Sequence, residues 1–320
     1  MANQIKVNDL VMKHAHRTLR NESGFVNNLA VSYDGSYSAT GGAKAGSSIR
    51  IMQPQEYTVR SGSAFSNQDV EEKVVTLNTT VQRGVDVEYT SAEVAQDVDM
   101  FVENKIAPAM STLASYIDNY AMDLAYKEIY QAVALPVTAV DREDILKAGV
   151  KLDNGSAPRG VSSRCMTLGP QAMADVVNDS SGLFNASTNI SKQYNDGVIS
   201  VPAMGFKFNM SQNTANHTTG TFTTGSTPLT AGVGVEAATT LATDGWAAST
   251  AILKTGDIFT IAGVNQVNAK TKASTGVLQQ FVCTADETSD GSGLNTINME
   301  PALISTGQYQ NIDALPADNA

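Results

Sequence analysis

The stretch from Thr90 to Tyr130 constrains this chain most, because its pattern suits a long helix and little else. Thr90 stands three residues before Glu93, an arrangement in which each side chain satisfies a free amide at a helix start. Asp97 and Asp99 add negative charge near that end, where the helix dipole favours it. Pro108 has no amide hydrogen and sits poorly inside a helix, so a break or kink is predicted near Ile106 and Ala107. Pro108 would then serve as the first residue of a longer helix. Beyond it Met110, Leu113, Ile117, Met122 and Leu124 recur mostly at spacings of three and four, with Ala114 and Ala121 between them. That is one apolar stripe. Asp118, Asn119 and Asp123 fall largely off the stripe and are expected to face water or a neighbouring chain.

The segments before this helix read differently. Residues 5 to 20 set Ile5, Val7, Leu10, Val11 and Leu19 along a helix that also carries Lys6, Lys13, Arg17 and Arg20. This is a basic amphipathic arm, either packed on its own domain or docked on an acidic partner or a neighbouring subunit. Residues 32 to 48 are loop-like, with Asp34-Gly35 and Gly41-Gly42. In 48 to 60, Ile49, Ile51, Tyr57 and Val59 alternate with polar neighbours, and Arg50 and Arg60 point away from the apolar side. Val75, Leu77, Val81, Val85 and Val87 alternate again in 70 to 89. Both are strands, joined by a soft turn at 61 to 69. A two-stranded ribbon is barely stable alone in water, so it needs something outside itself to lie on.

After the long helix, Asp141, Glu143 and Asp144 open another, with Ile145, Leu146 and Val150 on its inner face and Asn154-Gly155 at its end. A short strand at 164 to 169, a helix from Pro170 to Val177 and strand-rich sequence at 197 to 211 complete an α+β domain. From Thr214 to Thr250 the chain turns to Thr, Gly and Ala, with Glu236 and Asp244 as its only formal charges. Three alternating strands follow at 256 to 268, 275 to 286 and 294 to 301. Turns at Ala269-Lys270-Thr271-Lys272 and Asp290-Gly291-Ser292-Gly293 separate them, so this is an all-β module, expected to be a small barrel.

Composition narrows the function. The 320 residues allow two ordinary domains. Charged residues make up only 17% and aromatic residues 6%, a low-charge, polar palette suited to strands, turns and large subunit contacts. The formal charge of −11 repels phosphates, which argues against tight nucleic-acid binding by the whole chain. Cys165 and Cys283 match no metal spacing and are expected to be buried thiols of a protein folded in a reducing compartment. No apolar run approaches membrane-spanning length, and the charged N-terminus lacks a secretory core. The Asn-x-Ser/Thr triplets are then chance in an Asn- and Thr-rich chain.

Motifs that imitate sites fail on their own chemistry. In GGAKAGSS the lysine precedes the last glycine, so the G-K-[ST] order of a phosphate loop is absent. Asp286, Glu287 and Asp290 lack the alternation and terminal Glu of a calcium loop. His14 and His16 diverge by about 200° on a helix and cannot share a metal. No catalytic residue, cofactor or metal is assigned, and the chain is not read as an enzyme.

GSSIRIMQPQEYTVRSG, VEYTSAEV and IAPAMSTLASYIDNYAMDL resemble the major coat proteins of tailed double-stranded DNA bacteriophages, most of all the phage P-twenty-two lineage with its extra β-barrel. DILKAGVKLDNGSAPRG, RCMTLGPQAMADVV and the run from GDIFTIAGVNQVNAKTK to GSGLNTINMEPALISTGQYQNI carry the likeness onward. The resemblance implies an α+β Hong-Kong-97-type capsid fold: an N-terminal arm at 1–45, an extended E-loop at 46–80 and a peripheral domain with its spine helix at 81–138. An axial domain would follow at 139–213, with an inserted β-barrel at 214–315 and a truncated return to the axial domain at 316–320. It implies a major capsid protein of the virion, assembled in the host cytoplasm as pentamers and hexamers of an icosahedral head around double-stranded DNA. Assembly would pass through a scaffold-assisted procapsid that matures by expansion. The implied partners are other copies of the chain, a scaffolding protein, a portal protein, decoration proteins and, weakly and non-specifically, the packaged DNA. On this reading Arg50, Arg60, Glu71 and Glu72 are candidates for contacts between subunits, and Lys6, Lys13, Arg17 and Arg20 for an interior-facing arm. A β-rich phage tail or capsid-decoration protein is the alternative. An inserted domain must return its chain to its parent, so the natural polypeptide is expected to continue past Ala320.

Overall fold

The computed structural model describes residues 12–18, 24–29, 48–60, 62–65, 67–68, 72–78, 81–88, 98–135, 139–159, 164–179, 203–221 and 226–320. Thr90, Glu93, Asp97, Lys6, Arg20 and Glu71 lie outside them, as does the strand-rich stretch at 197–202.

The break or kink expected near Ile106 and Ala107 is a change of helix type there, not a loss of helix, and the longer helix does open at Pro108's position. A short helical segment, Val98–Phe101, leads into a π-helical turn, Val102–Ile106, and then into α1, Ala107–Glu128, with Pro108 as its second residue. The Ala107 N–H reaches back five residues to Val102 O, and Ile106 and Ala107 keep helical backbone angles. The widened turn accommodates the pyrrolidine ring that a regular turn would push against a carbonyl. Ala109, Ala114 and Met122 are buried along α1. Asp118, expected to face water or a neighbour, is buried with them, whereas Asn119 is exposed.

Helix α2, Arg142–Asn154, starts at a reciprocal cap: Asp144 N donates to Asp141 Oδ1 at 3.0 Å, and Asp141 N donates to Asp144 Oδ2 at 3.3 Å. Ile145 enters a core with Met173 and Val176 of α3, Pro170–Asp179, and with Phe206 and Phe208. Leu146 and Val150, expected inside, are exposed. The packed line instead follows Ile145 and the half-buried Ala148 and Leu152, spaced by three and four, and Leu146 sits about 100° around the helix from it. Strand β3, Cys165–Leu168, pairs in parallel with β4, Lys207–Met210. Before that, β1, Ser48–Met52, and β2, Val74–Asn78, form an antiparallel ribbon. Residues 81–88, expected to continue β2, lie outside any strand.

The Thr- and Gly-rich module carries β5 (Leu229–Thr230), β6 (Thr240–Asp244), β7 (Ala251–Leu253), β8 (Ile258–Val267), β9 (Ser274–Cys283), β10 (Glu287–Thr288) and β11 (Asn295–Glu300). Its main sheet has the order β5-β6-β11-β9-β8, and β7 pairs with β10. Leu241, Ile261, Val264, Phe281, Met299, Leu303 and Ile312 fill its core. The sheet is a half-barrel, not the strand-closed barrel expected, since β5 and β8 do not pair. Irregular backbone bridges the gap. Val267 N donates to Asn311 O and Asp313 N to Asn265 O on the β8 side; Thr230 N donates to Ala320 O and Asn319 N to Thr230 O on the β5 side. Residues 316–320, read from sequence as the start of a return to another domain, are thus part of the module's own wall.

Two polar joints fix the module to the body. Gln280 Oε1 accepts from Ala132 N at 3.2 Å and from Lys151 Nζ at 2.9 Å. At the other joint His217 Nε2 lies 2.7 Å from Asp257 Oδ1, and its ring packs 5.2 Å from that of Tyr126 at the end of α1. Gly256 has φ +97°, and a Cβ there would come within 2.9 Å of the Tyr126 ring.

Candidate functional site

The ribbon presents the largest run of uncovered apolar side chains in the described residues near one another in sequence. Its register pairs Ser48 with Asn78 and Met52 with Val74, so Arg50 stands opposite Thr76. All five residues of β2 are exposed, as are Met52, Tyr57, Val59 and Phe65 in β1 and the outer loop. Val59 is 93% and Phe65 84% accessible. The outer loop nevertheless has a defined shape. The Gln68 side-chain amide exchanges two hydrogen bonds with the backbone of Thr58, imitating a further ladder pair. Pro54 keeps the preceding strand from continuing, since it offers no amide to the ladder.

The four ribbon charges singled out by sequence have different surroundings. Arg50 and Glu72 are exposed. Arg60 is turned inward on its own loop, where its guanidinium donates to Gly62 O at 2.6 Å and to Ala64 O. Glu71 lies outside the described residues. Two charges that sequence reasoning passed over make the tighter contacts. Glu56 Oε2 is 2.8 Å from Lys272 Nζ on the β8–β9 hairpin, and Lys73 Nζ sits 3.6 Å above the Tyr309 ring. Nothing local in sequence links residue 56 to residue 272.

Of the arm candidates, Lys13 and Arg17 are exposed on a helical segment at 12–18 whose Ala15 packs against Phe101, Val102 and Ile106. Lys6 and Arg20 lie outside the described residues. The firmer hold on the arm is Asp118. Its carboxylate accepts from Gly24 N at 2.7 Å and Phe25 N at 3.2 Å through Oδ2, and from Val26 N at 3.2 Å through Oδ1. This is why an Asp is buried in α1: successive backbone amides at the start of a 3-10 turn, Val26–Asn28, surround it with donors.

The carboxylates that mimic a calcium loop are each engaged by protein groups. Asp290 Oδ1 accepts from Ser292 N and Leu294 N, Asp286 from Thr255 N and Oγ1, and Glu287 from Asn295 and Asn298. Among the described residues no three His, Cys, Asp or Glu side chains come together as a metal set. Cys283 is buried; burial pushes its thiol up to about 11, which leaves it protonated and inert. Cys165 is only half-buried.

No protein-family model matches the chain, and a search of curated proteins finds no match. Among solved structures it is similar to the CUS-3 coat protein I-domain, with 27% identity over 31% of this chain and 93% of that one and a TM-score of 0.23. It is also similar to a chain of Mycobacterium phage Che8, with 13% identity over 87% of this chain and 84% of that one and a TM-score of 0.45.

Proposed function

We propose that this chain is a major capsid protein, a shell subunit that assembles with copies of itself into an icosahedral phage head around double-stranded DNA. The observation that carries the proposal is the uncovered ribbon. Met52, Tyr57, Val59 and Phe65 are exposed on an element that has no core of its own. Covering such side chains is worth roughly 1.5–3 kcal/mol each, a strong drive for a neighbouring surface to receive them. The coat-protein I-domain likeness agrees with this role.

In this reading residues 46–80 are the E-loop of a Hong-Kong-97-type subunit, 81–138 its peripheral domain with α1 as spine helix and 139–213 its axial domain. The module from 214 is the insertion domain. Arg50 and Glu72 remain free to meet charges on the neighbour, and the arm with Lys13 and Arg17 faces the interior. There it meets a scaffolding protein or, weakly, the packaged DNA. Pentamers and hexamers, a portal and an expanding procapsid complete the assembly.

Deleting residues 61–69 tests the proposal. A folded chain that no longer forms closed shells in negative-stain images supports it; normal shells refute it. Neutralising Lys6, Lys13, Arg17 and Arg20 should change scaffold uptake or assembly yield, and an unchanged yield removes the arm from the mechanism. A tail or decoration protein would instead form tubes or isolated rings, and that role gives no account of α1 or the α2–α3 domain.

A further inference from the structure

The ribbon does not simply project from the body. Its paired strands end at Met52 and Val74, and just beyond that point the half-barrel module touches it twice. The first contact comes from the β8–β9 hairpin. Asn268 shapes that turn: its side-chain oxygen accepts from Lys270 N and Thr271 N, and its carbonyl accepts from Lys272 N. Lys272 takes φ +56° in the turn and carries its ammonium to Glu56. The Lys272 side chain is 12% and that of Glu56 28% accessible, so this pair is far less screened than a surface ion pair. The second contact comes from the loop after β11. Asn311 braces that loop by accepting from Ile304 N and donating to Ala302 O, and Tyr309 offers its ring face to Lys73. At 3.6 Å the ammonium lies well inside the range of cation–π attraction.

We propose that the module is the positioning element of the ribbon. Lys272 and Tyr309 hold it at Glu56 and Lys73, on its two different strands' extensions, and so present the outer loop with Tyr57, Val59 and Phe65 in a fixed direction before any partner arrives. Two holds, one on each strand's extension, restrict rotation as well as bending, which a single contact cannot do. A preformed direction lowers the ordering cost that a freely swinging loop would meet on binding. The module therefore acts on the apolar surface through the ribbon's aim, in addition to being a stable unit. This inference concerns the isolated chain and does not depend on the capsid reading; only the choice of what the loop meets rests on that.

The test is amide hydrogen exchange on the full chain, unassembled, with residues 53–60, 72–78 and 258–283 followed separately. Lys272→Met combined with Tyr309→Leu should raise exchange across 53–60 and 72–78 by about tenfold, a change comparable to losing two modest contacts. Exchange in 258–283 should stay within about twofold, given that the module's core does not use either side chain. Lys270→Met, at the exposed tip of the same hairpin, should leave the ribbon as it was. The reversed pair, Glu56→Lys with Lys272→Glu, should return ribbon exchange toward the original value, whereas Lys272→Glu alone should not. The proposal is overturned if the double variant leaves ribbon exchange unchanged, or if the reversed pair is no better than Lys272→Glu alone. If the module's exchange rises along with the ribbon's, the two residues serve the module's stability, and the proposal is overturned in that way too. Shell formation by the same variants is a separate readout: loosened ribbons with normal shells would leave the positioning intact and count against the capsid role of the ribbon.

Discussion

Replacing Asp118 with Ala should release the arm from α1. The carboxylate is 3% accessible and receives three backbone amides, at 2.7, 3.2 and 3.2 Å. A hydrogen bond to a charged group contributes about 1.5–3 kcal/mol net, so a simple sum would reach about 4.5–9 kcal/mol. That sum overshoots, because the three bonds share one acceptor and the freed turn can rehydrate once it lifts away. The loss is limited to the free energy that docks residues 24–29, which we place at about 3 kcal/mol, or roughly a hundredfold in local opening. Amide exchange at Gly24, Phe25 and Val26 reads this directly, with amides in the middle of α1 as the internal control. Asp118→Asn can keep the oxygen that serves Gly24 and Phe25 but would turn an NH2 group toward Val26 N, so its effect should fall between wild type and Ala. Protection at 24–26 that changes less than about threefold in Asp118→Ala would refute the reasoning. So would equal loss of protection throughout α1, which would mean the Asp stabilises the helix and not the arm.

Other expectations follow from single contacts. Phe281→Ala removes a wholly buried ring from the half-barrel core and should cost about 3–5 kcal/mol, read as an earlier urea transition by the fluorescence of the module's Trp246. Gly256→Ala should cost about 1–3 kcal/mol, since it combines a strained φ of +97° with a Cβ 2.9 Å from the Tyr126 ring; pairing it with Tyr126→Ala should recover only the steric part in a thermal melt. The Arg164 guanidinium, bonded to Asp153 at 2.8 Å, and Arg159 beside it hold the Asp153 carboxyl below its usual range. A depressed carboxyl contributes stability above its unfolded pKa and loses it as pH falls through the lower folded value. Asp153→Asn should therefore be less stable than wild type near about pH 7, with the difference shrinking below about pH 4; a difference that persists undiminished in acid would refute the assignment.

The elements themselves were written in local sequence. The cap of α2 follows from Asp141 and Asp144 three residues apart, and the hairpin at 268–272 from its small and charged turn residues. The β8, β9 and β11 strands follow from alternation, which depends only on the two-residue period of a pleated chain. The ribbon was legible too, as two alternating strands with no core beside them. The likeness to coat proteins was carried by runs of sequence spread across the chain.

What the sequence could not show was which faces meet. Asp118 read as a surface residue because its burial depends on three amides about ninety residues away. Leu146 and Val150 read as core because an apolar residue is compatible with either side of a helix until the neighbouring elements choose one. Pro108 marked the place of a break or kink, but not that a π turn would fill it, because a π turn, unlike a cap, has no side-chain signature. The half-barrel's irregular wall at 311–320 shows no alternation, since its amides pair singly with two distant edges and not along a ladder. The same holds for Glu56 and Lys272, which are brought together across more than two hundred residues. Short-range periodicity follows from the geometry of the backbone and is present in any window of the chain. The partner of a buried charge or an edge strand is set by how the finished elements pack, and only the tertiary structure contains that.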